Sequence, residues 1–135
     1  VVKEEKARMA AKIATDQMVS YETKDGSLIR ELCHPARDGN RRQSVAEATI
    51  PEGAGTRLHR HRVSEEIYDV VRGEGRMTLG DAVFPVAAGD TVWIPPETLH
   101  CLENTGGEAL KVLCCCAPPY AHDDTEIDAG AGASG

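Results

Sequence analysis

Three histidines and one glutamate are the residues of this 135-residue chain best placed to do chemistry: His59, His61, Glu66 and His100. His59 and His61 are two apart, so on an extended strand both imidazoles emerge on one face. Glu66 opens the next apolar run and can bring a carboxylate alongside across a short connection. His100 sits far downstream, just past the turn at Pro95-Pro96. Three imidazoles and one carboxylate suit a divalent transition metal such as Mn, Fe, Ni, Cu or Zn. Calcium and magnesium would want more oxygen. A His-x-His pair alone is a weak signal, and the arginines around this one also fit a solvated strand. The four residues together carry the reading, provided the fold returns His100 to the pair.

The elements that must position them are short. Runs with period-2 character lie near 28–33, 43–50, 57–62, 66–72, 75–79, 82–86, 91–94, 99–104 and 109–116. Their connections hold glycine or proline, as in Pro51-Glu52-Gly53, Gly73-Glu74-Gly75, Gly89-Asp90 and Gly106-Gly107. Short strands at close spacing without crossover helices predict an antiparallel sandwich or barrel. Strand parity then extends the site. Arg57 shares a face with His59 and His61; it either clamps an anion from the lumen or sits in solvent at the barrel mouth. Tyr68 shares the Glu66 face, where it either orients substrate and donates a proton or packs with its hydroxyl satisfied. Leu102 shares the His100 face, whereas Cys101 and Glu65 point away. Met77 and Trp93 are expected in the core. His34 and His122 fit no ligand spacing, and a surface position is the default for both.

Composition bounds the rest. The length allows one domain. Apolar residues make up 41% and charged ones 27%, which fits an ordinary globule. Glycine and proline number 13 and 7, too many turn-formers for a helical bundle. Fifteen basic against 22 acidic side chains give −7, so the basic footprint for nucleic acid is missing and anionic membranes would repel the chain. No run approaches the length of a membrane-spanning helix. The opening Val1-Val2-Lys3-Glu4-Glu5-Lys6 has no apolar secretory stretch. The cysteines are odd in number (Cys33, Cys101 and Cys114-Cys115-Cys116) and form no CxxC pair. They read as small buried hydrophobes in a reducing cytoplasm, with a reactive thiol at Cys101 as the alternative.

Residues 3–18, with Met9 and Ile13 four apart, read as an amphipathic helix or as disorder. The expected organisation is an N-terminal arm or helix over 1–26, a barrel over 27–119 and an acidic, Gly/Ala-rich flexible tail over 120–135.

A longer coincidence of spacing ties the histidines together. Gly53, five residues, His59-Arg60-His61, four residues, Glu66, six residues, Gly73 fits G(X)5HXH(X)3–4E(X)6G. Gly89, five residues, Pro95, then His100, three residues and Asn104 fits G(X)5PXG(X)2H(X)3N, with Glu97 where that pattern has glycine. These are the two motifs of the cupins, and the chain resembles a compact single-domain member. The resemblance implies an all-β double-stranded β-helix, a jelly-roll barrel open at one end with a metal inside. It also implies that His59, His61, Glu66 and His100 are the metal ligands. Asn104, by the same resemblance, ties a loop or strand end. Glu97 lies in a turn, so it bears on loop geometry rather than on the metal.

Fold and metal do not settle chemistry. The leading expectation is a metal-dependent enzyme of the dioxygenase, isomerase or decarboxylase/lyase type acting on a small oxygenated or anionic substrate. The alternative is a non-catalytic module that binds a sugar or organic acid. A purely structural metal is the third reading. Exposed sheet edges, and the way cupins commonly pair, lead to the expectation of a homodimer.

Overall fold

The computed structural model describes residues 12–129. The helix expected over 3–18 falls mostly outside that span; within it, Thr15–Gln17 makes one 3-10 turn. Eleven strands follow: β1 (Tyr21–Glu22), β2 (Leu28–Cys33), β3 (Ser44–Ile50), β4 (His59–His61), β5 (Glu65–Arg72), β6 (Glu74–Leu79), β7 (Ala82–Ala87), β8 (Thr91–Ile94), β9 (His100–Asn104), β10 (Leu110–Ala117) and β11 (Thr125–Ile127). A single helical turn, α1 (Pro35–Asp38), separates β2 from β3. The strands form a six-stranded sheet in the order β1-β2-β3-β10-β5-β8 and a five-stranded sheet in the order β11-β4-β9-β6-β7. All strand pairs are antiparallel. This is the all-β barrel expected from the turn spacing.

Alternation sorts the side chains. Along β10, Leu110, Val112, Cys114 and Cys116 are buried while Lys111, Leu113 and Cys115 lie on the other face, so the cysteine run divides as strand parity requires. Along β5, Glu66, Tyr68 and Val70 point inward. Met77, Leu102, Leu110 and Val112 are at most 2% exposed, and burying such a side chain contributes about 1.5–3 kcal/mol. Trp93 departs from expectation. Its neighbours Val92 and Ile94 take the inward positions of β8, leaving the indole 60% exposed with Nε1 donating to Glu65 Oε1 at 2.8 Å.

Turns close one end. Gly73, between β5 and β6, has φ +87°, and a Cβ there would stand 2.9 Å from the Ala109 carbonyl oxygen, so both backbone and space demand glycine. Asn104 ties the same end together. Its Nδ2 donates to the Ile50 and Glu108 carbonyls at 3.0 and 2.7 Å, and its Oδ1 accepts from the Gly106 N–H at 2.9 Å.

Both expected flanks contribute to the sheets. Tyr21 and Glu22 pair with Ile29 and Leu28. Thr125–Ile127, expected in a flexible tail, instead forms an edge strand with Thr125 opposite His61 and Ile127 opposite His59. The acidic composition suggested solvation, but Asp124 satisfies backbone donors: its carboxylate accepts from the Val63 and Ser64 N–H groups at 2.9 and 3.1 Å. Among the described residues no helix is long and apolar enough to cross a membrane.

Candidate metal centre

Strands β4 and β9 lie side by side with His59 directly opposite His100. Their rings are 4.2 Å apart, and His61, two residues on, faces the same way. All three histidines are buried, His100 completely. Each offers one nitrogen to a common point, the three atoms lying within 4.8 Å of one another.

Hydrogen bonds on the outer ring nitrogens decide which nitrogen is offered. His59 Nδ1 sits 2.7 Å from the Arg57 carbonyl, and His100 Nδ1 sits 2.9 Å from the Thr98 carbonyl. A carbonyl only accepts, so each Nδ1 carries a proton and each ring turns its Nε2 inward. His61 Nδ1 lies 3.0 Å from Thr125 Oγ1, whose own proton goes to the Ala121 carbonyl at 3.2 Å. That hydroxyl therefore accepts from His61, which also presents Nε2. Metal-binding histidines are commonly fixed by such acceptors.

Glu66 completes the cluster from the opposite sheet. Its Oε1 is 3.0 Å from His61 Nε2 and 3.5 Å from His100 Nε2, and its Oε2 accepts from the Cys116 thiol at 3.2 Å. Burial alone would raise the Glu66 carboxyl, but His100 and His61 outweigh it and hold the group below the usual carboxylate range. Burial would lower His61, but the hydrogen bond and charge of Glu66 leave it raised. Burial, then the neighbouring His100, push His59 down to about 4. Burial and then Glu66 push the Cys116 thiol up, which keeps it a neutral donor.

These residues fit a divalent metal. His100 Nε2 is a buried nitrogen with no hydrogen-bond partner, an orphan costly to leave unmatched. Donors sharing an ion at about 2.1 Å stand about 3.0 Å apart at right angles and about 3.4 Å apart at tetrahedral angles. The separations of 3.0 and 3.5 Å from Glu66 to His61 and His100 match those values.

His59, His61 and Glu66 line a cavity of about 40 Å³ between the sheets, room for about three waters. Ile29, Ala46, Ala48, Leu102 and Val112 form apolar walls, and Tyr68 adds a phenol whose ring meets His100 edge-on at 5.9 Å. Burial, followed by Glu66, raises the Tyr68 phenol well above its ordinary range, so it stays a neutral donor. Arg57 is not on this face. Its side chain is exposed and lines no part of the cavity, because β4 begins only at His59 and strand parity does not reach back to 57. What Arg57 gives the site is its carbonyl. Met77 is core, as expected, and Leu102 is a wall. His34 caps α1, its Nδ1 accepting from Ala36 N–H while Nε2 lies 2.8 Å from the Tyr120 carbonyl.

Sequence reasoning missed Asp25 and Thr125. Asp25 lies in the β1–β2 turn and lines the cavity, with Oδ2 3.4 Å from His59 Nε2. Its only trace in the sequence is the Asp25-Gly26 turn signal. Thr125 carries no local signal.

Comparison with known proteins agrees with this geometry. The model of the cupin domain family matches residues 46–116. An uncharacterized protein of Methanocaldococcus jannaschii is 54% identical over 112 residues, covering 83% of this chain and 90% of that protein. An oxalate-binding protein of Thermotoga maritima is 32% identical over 74 residues, 55% of this chain and 61% of that one. Among solved structures, a predicted oxalate decarboxylase from Thermotoga maritima superposes with TM-score 0.71 at 23% identity, covering 80% of this chain and 99% of that one. A Streptomyces nucleoside dehydratase gives TM-score 0.71 at 17% identity over 89% and 92% of the two chains. These structural likenesses carry the fold.

Proposed function

The chain belongs to the cupin domain family, and within it we propose a metal-dependent enzyme that acts on a small oxygenated substrate. The observation that carries this reading is the convergence of three Nε2 atoms, each ring fixed by an acceptor on its own Nδ1, beside the buried Glu66. We assign His59, His61, Glu66 and His100 as the residues that hold the metal. A divalent ion there would polarise a substrate oxygen as a Lewis acid, and a redox-active one would add oxygen chemistry. Tyr68 donates a hydrogen bond or a proton to the substrate from the wall beside His100. Cys116 keeps one Glu66 oxygen engaged, so the other faces the histidines.

The lining narrows the substrate. Asp25, Glu31 and Glu66 face the cavity, and among its lining residues there is no lysine or arginine. With the Arg57 guanidinium outside, nothing clamps an anion except the metal itself. A neutral molecule bearing hydroxyl or carbonyl groups is favoured over a dicarboxylate. The similarity to an oxalate-binding protein supports a second reading, a module that binds its ligand without turnover. The homodimer remains a proposal as well, supported by the outward pair Ile67 and Trp93, 41% and 60% exposed on β5 and β8.

The test starts from elemental analysis of protein purified without chelator or histidine tag. The metal-loaded protein is then incubated with aldoses, ketoses, 2-oxo acids and oxalate, and products are followed by NMR. Near-stoichiometric metal and one converted substrate are expected, both lost in His59→Ala. Saturable binding without product establishes the binding module instead. Absence of stoichiometric metal overturns both.

A further inference from the structure

We infer that Asp25 supplies a fifth protein donor to the same metal, through Oδ2. This rests on the metal reading above but not on catalysis.

The turn between β1 and β2 holds the carboxylate in one orientation. Asp25 Oδ1 accepts three hydrogen bonds: from Thr23 Oγ1 at 2.7 Å, from Ser27 N–H at 2.9 Å and from Ser27 Oγ at 2.7 Å. Every described hydrogen bond to the carboxylate falls on that oxygen. The other, Oδ2, projects to His59 Nε2 at 3.4 Å. The backbone adds a second restraint, because the Asp25 carbonyl accepts from Arg57 N–H at 2.7 Å. The Arg57 carbonyl in turn takes the proton of His59 Nδ1. The backbone N–H and C=O of one residue, Arg57, thus tie Asp25 and His59 together.

That lock has a chemical consequence. With its proton on Nδ1, the His59 ring presents a lone pair to a carboxylate oxygen, and two acceptors face each other without a donor between them. His100 Nε2, 3.5 Å from Glu66 Oε1, likewise lacks a hydrogen-bond partner. Facing lone pairs at these distances are what a shared cation would reconcile. Asp25 and Glu66 thus approach the histidine cluster against different rings. A five-donor set leaves one position of an octahedral ion open instead of two. A substrate that binds through one oxygen then fits directly, and one that chelates through two must displace Asp25.

The experiment uses the full chain, stripped and reloaded with Mn2+, and needs no substrate. Two quantities are measured: the Mn2+ dissociation constant by competition with a chelating dye, and the number of exchangeable metal-bound waters by water-proton relaxation. Asp25→Asn keeps an oxygen for the three turn hydrogen bonds and turns a nonligating amide toward His59. Asp25→Ala removes the group entirely. Both variants are expected to bind Mn2+ at least tenfold more weakly than wild type and to show one additional bound water. Circular dichroism melts identify a variant that has lost its fold, and Asp25→Asn then serves alone. An unchanged dissociation constant with an unchanged water count in folded Asp25→Asn overturns the assignment, as does wild type that binds no Mn2+, Co2+ or Zn2+. Metal binding that depends on Asp25 in a protein without turnover sinks the enzyme reading and leaves this one standing.

Discussion

The two ends of this barrel are built on opposite principles. At the closed end, Leu110 and Met77 are fully buried, and Asn104 fills its donors and acceptor with backbone partners. At the other end, the Nε2 atoms of three imidazoles converge, Glu66 and Asp25 approach His61 and His59 at 3.0 and 3.4 Å, and His100 Nε2 has no hydrogen-bond partner. Satisfied packing stabilises a fold, whereas unmatched polar groups cost stability and persist only when the surroundings over-determine them. Here the surroundings are specific: two backbone carbonyls and one threonine hydroxyl aim the rings. The closed end therefore supplies the rigidity, and the cavity end uses it.

If the ends are separable in this way, truncation at the closed end costs stability and spares the metal. Leu110→Ala removes a fully buried side chain that packs among Val112, Leu102 and the other core residues. The expected loss is about 2–5 kcal/mol, the range for a buried leucine cut to alanine. Urea denaturation of the chelator-treated variant measures it. Its Mn2+ affinity under native conditions should stay within about twofold of wild type, since Leu110 does not line the metal cavity. A tenfold weakening would show that the two ends are one cooperative unit.

The converse substitution is Thr125→Val, which keeps shape and removes the oxygen that accepts from His61 Nδ1 at 3.0 Å. Loss of such an acceptor typically costs about 10–100-fold in metal affinity, or about 1.4–2.7 kcal/mol. Thr125→Ser restores the hydroxyl and should restore affinity. Competition with a chelating dye at fixed pH reads both variants. If Thr125→Val binds metal as wild type does, β11 is only a covering strand.

These variants also mark how far the sequence carried. Strand positions were legible because turn residues punctuate a period-2 pattern, and the burial pattern of β3, β5, β9 and β10 follows that alternation. The convergence of His59, His61, Glu66 and His100 was legible from two motif spacings. Arg57 was left between lumen and solvent; parity holds only within a strand, residue 57 precedes β4, and its side chain is exposed. Trp93 was expected in the core, but Val92 and Ile94 hold the inward positions of β8. Asp25 and Thr125 escaped for a different reason. They reach the site through pairings over long sequence separation, and a two-residue turn signal or an acidic tail carries no record of its partner strand.

Glu97 provides the finest test, because it stands where the second motif has glycine and the backbone still takes the glycine conformation. Its φ is +67°, the one positive value at a non-glycine among the described residues. A residue with a Cβ pays about 1–2 kcal/mol to sit there, and glycine gives back about 0.5–1 kcal/mol through its freer unfolded chain. The Glu97 carboxylate lies 3.8 Å from Arg60 and is more than half exposed, so that pair contributes little. The backbone bond that matters, Glu97 N–H to the His61 carbonyl at 2.7 Å, survives any substitution but proline. Glu97→Gly should therefore stabilise the protein by about 0.5–1 kcal/mol in urea titration without moving Mn2+ affinity. Glu97→Ala, which keeps the Cβ, should stabilise it by less than glycine does. Equal stability of the alanine and glycine variants would place the cost in the carboxylate and not in the backbone, and the turn before His100 would then be no more strained than its neighbours.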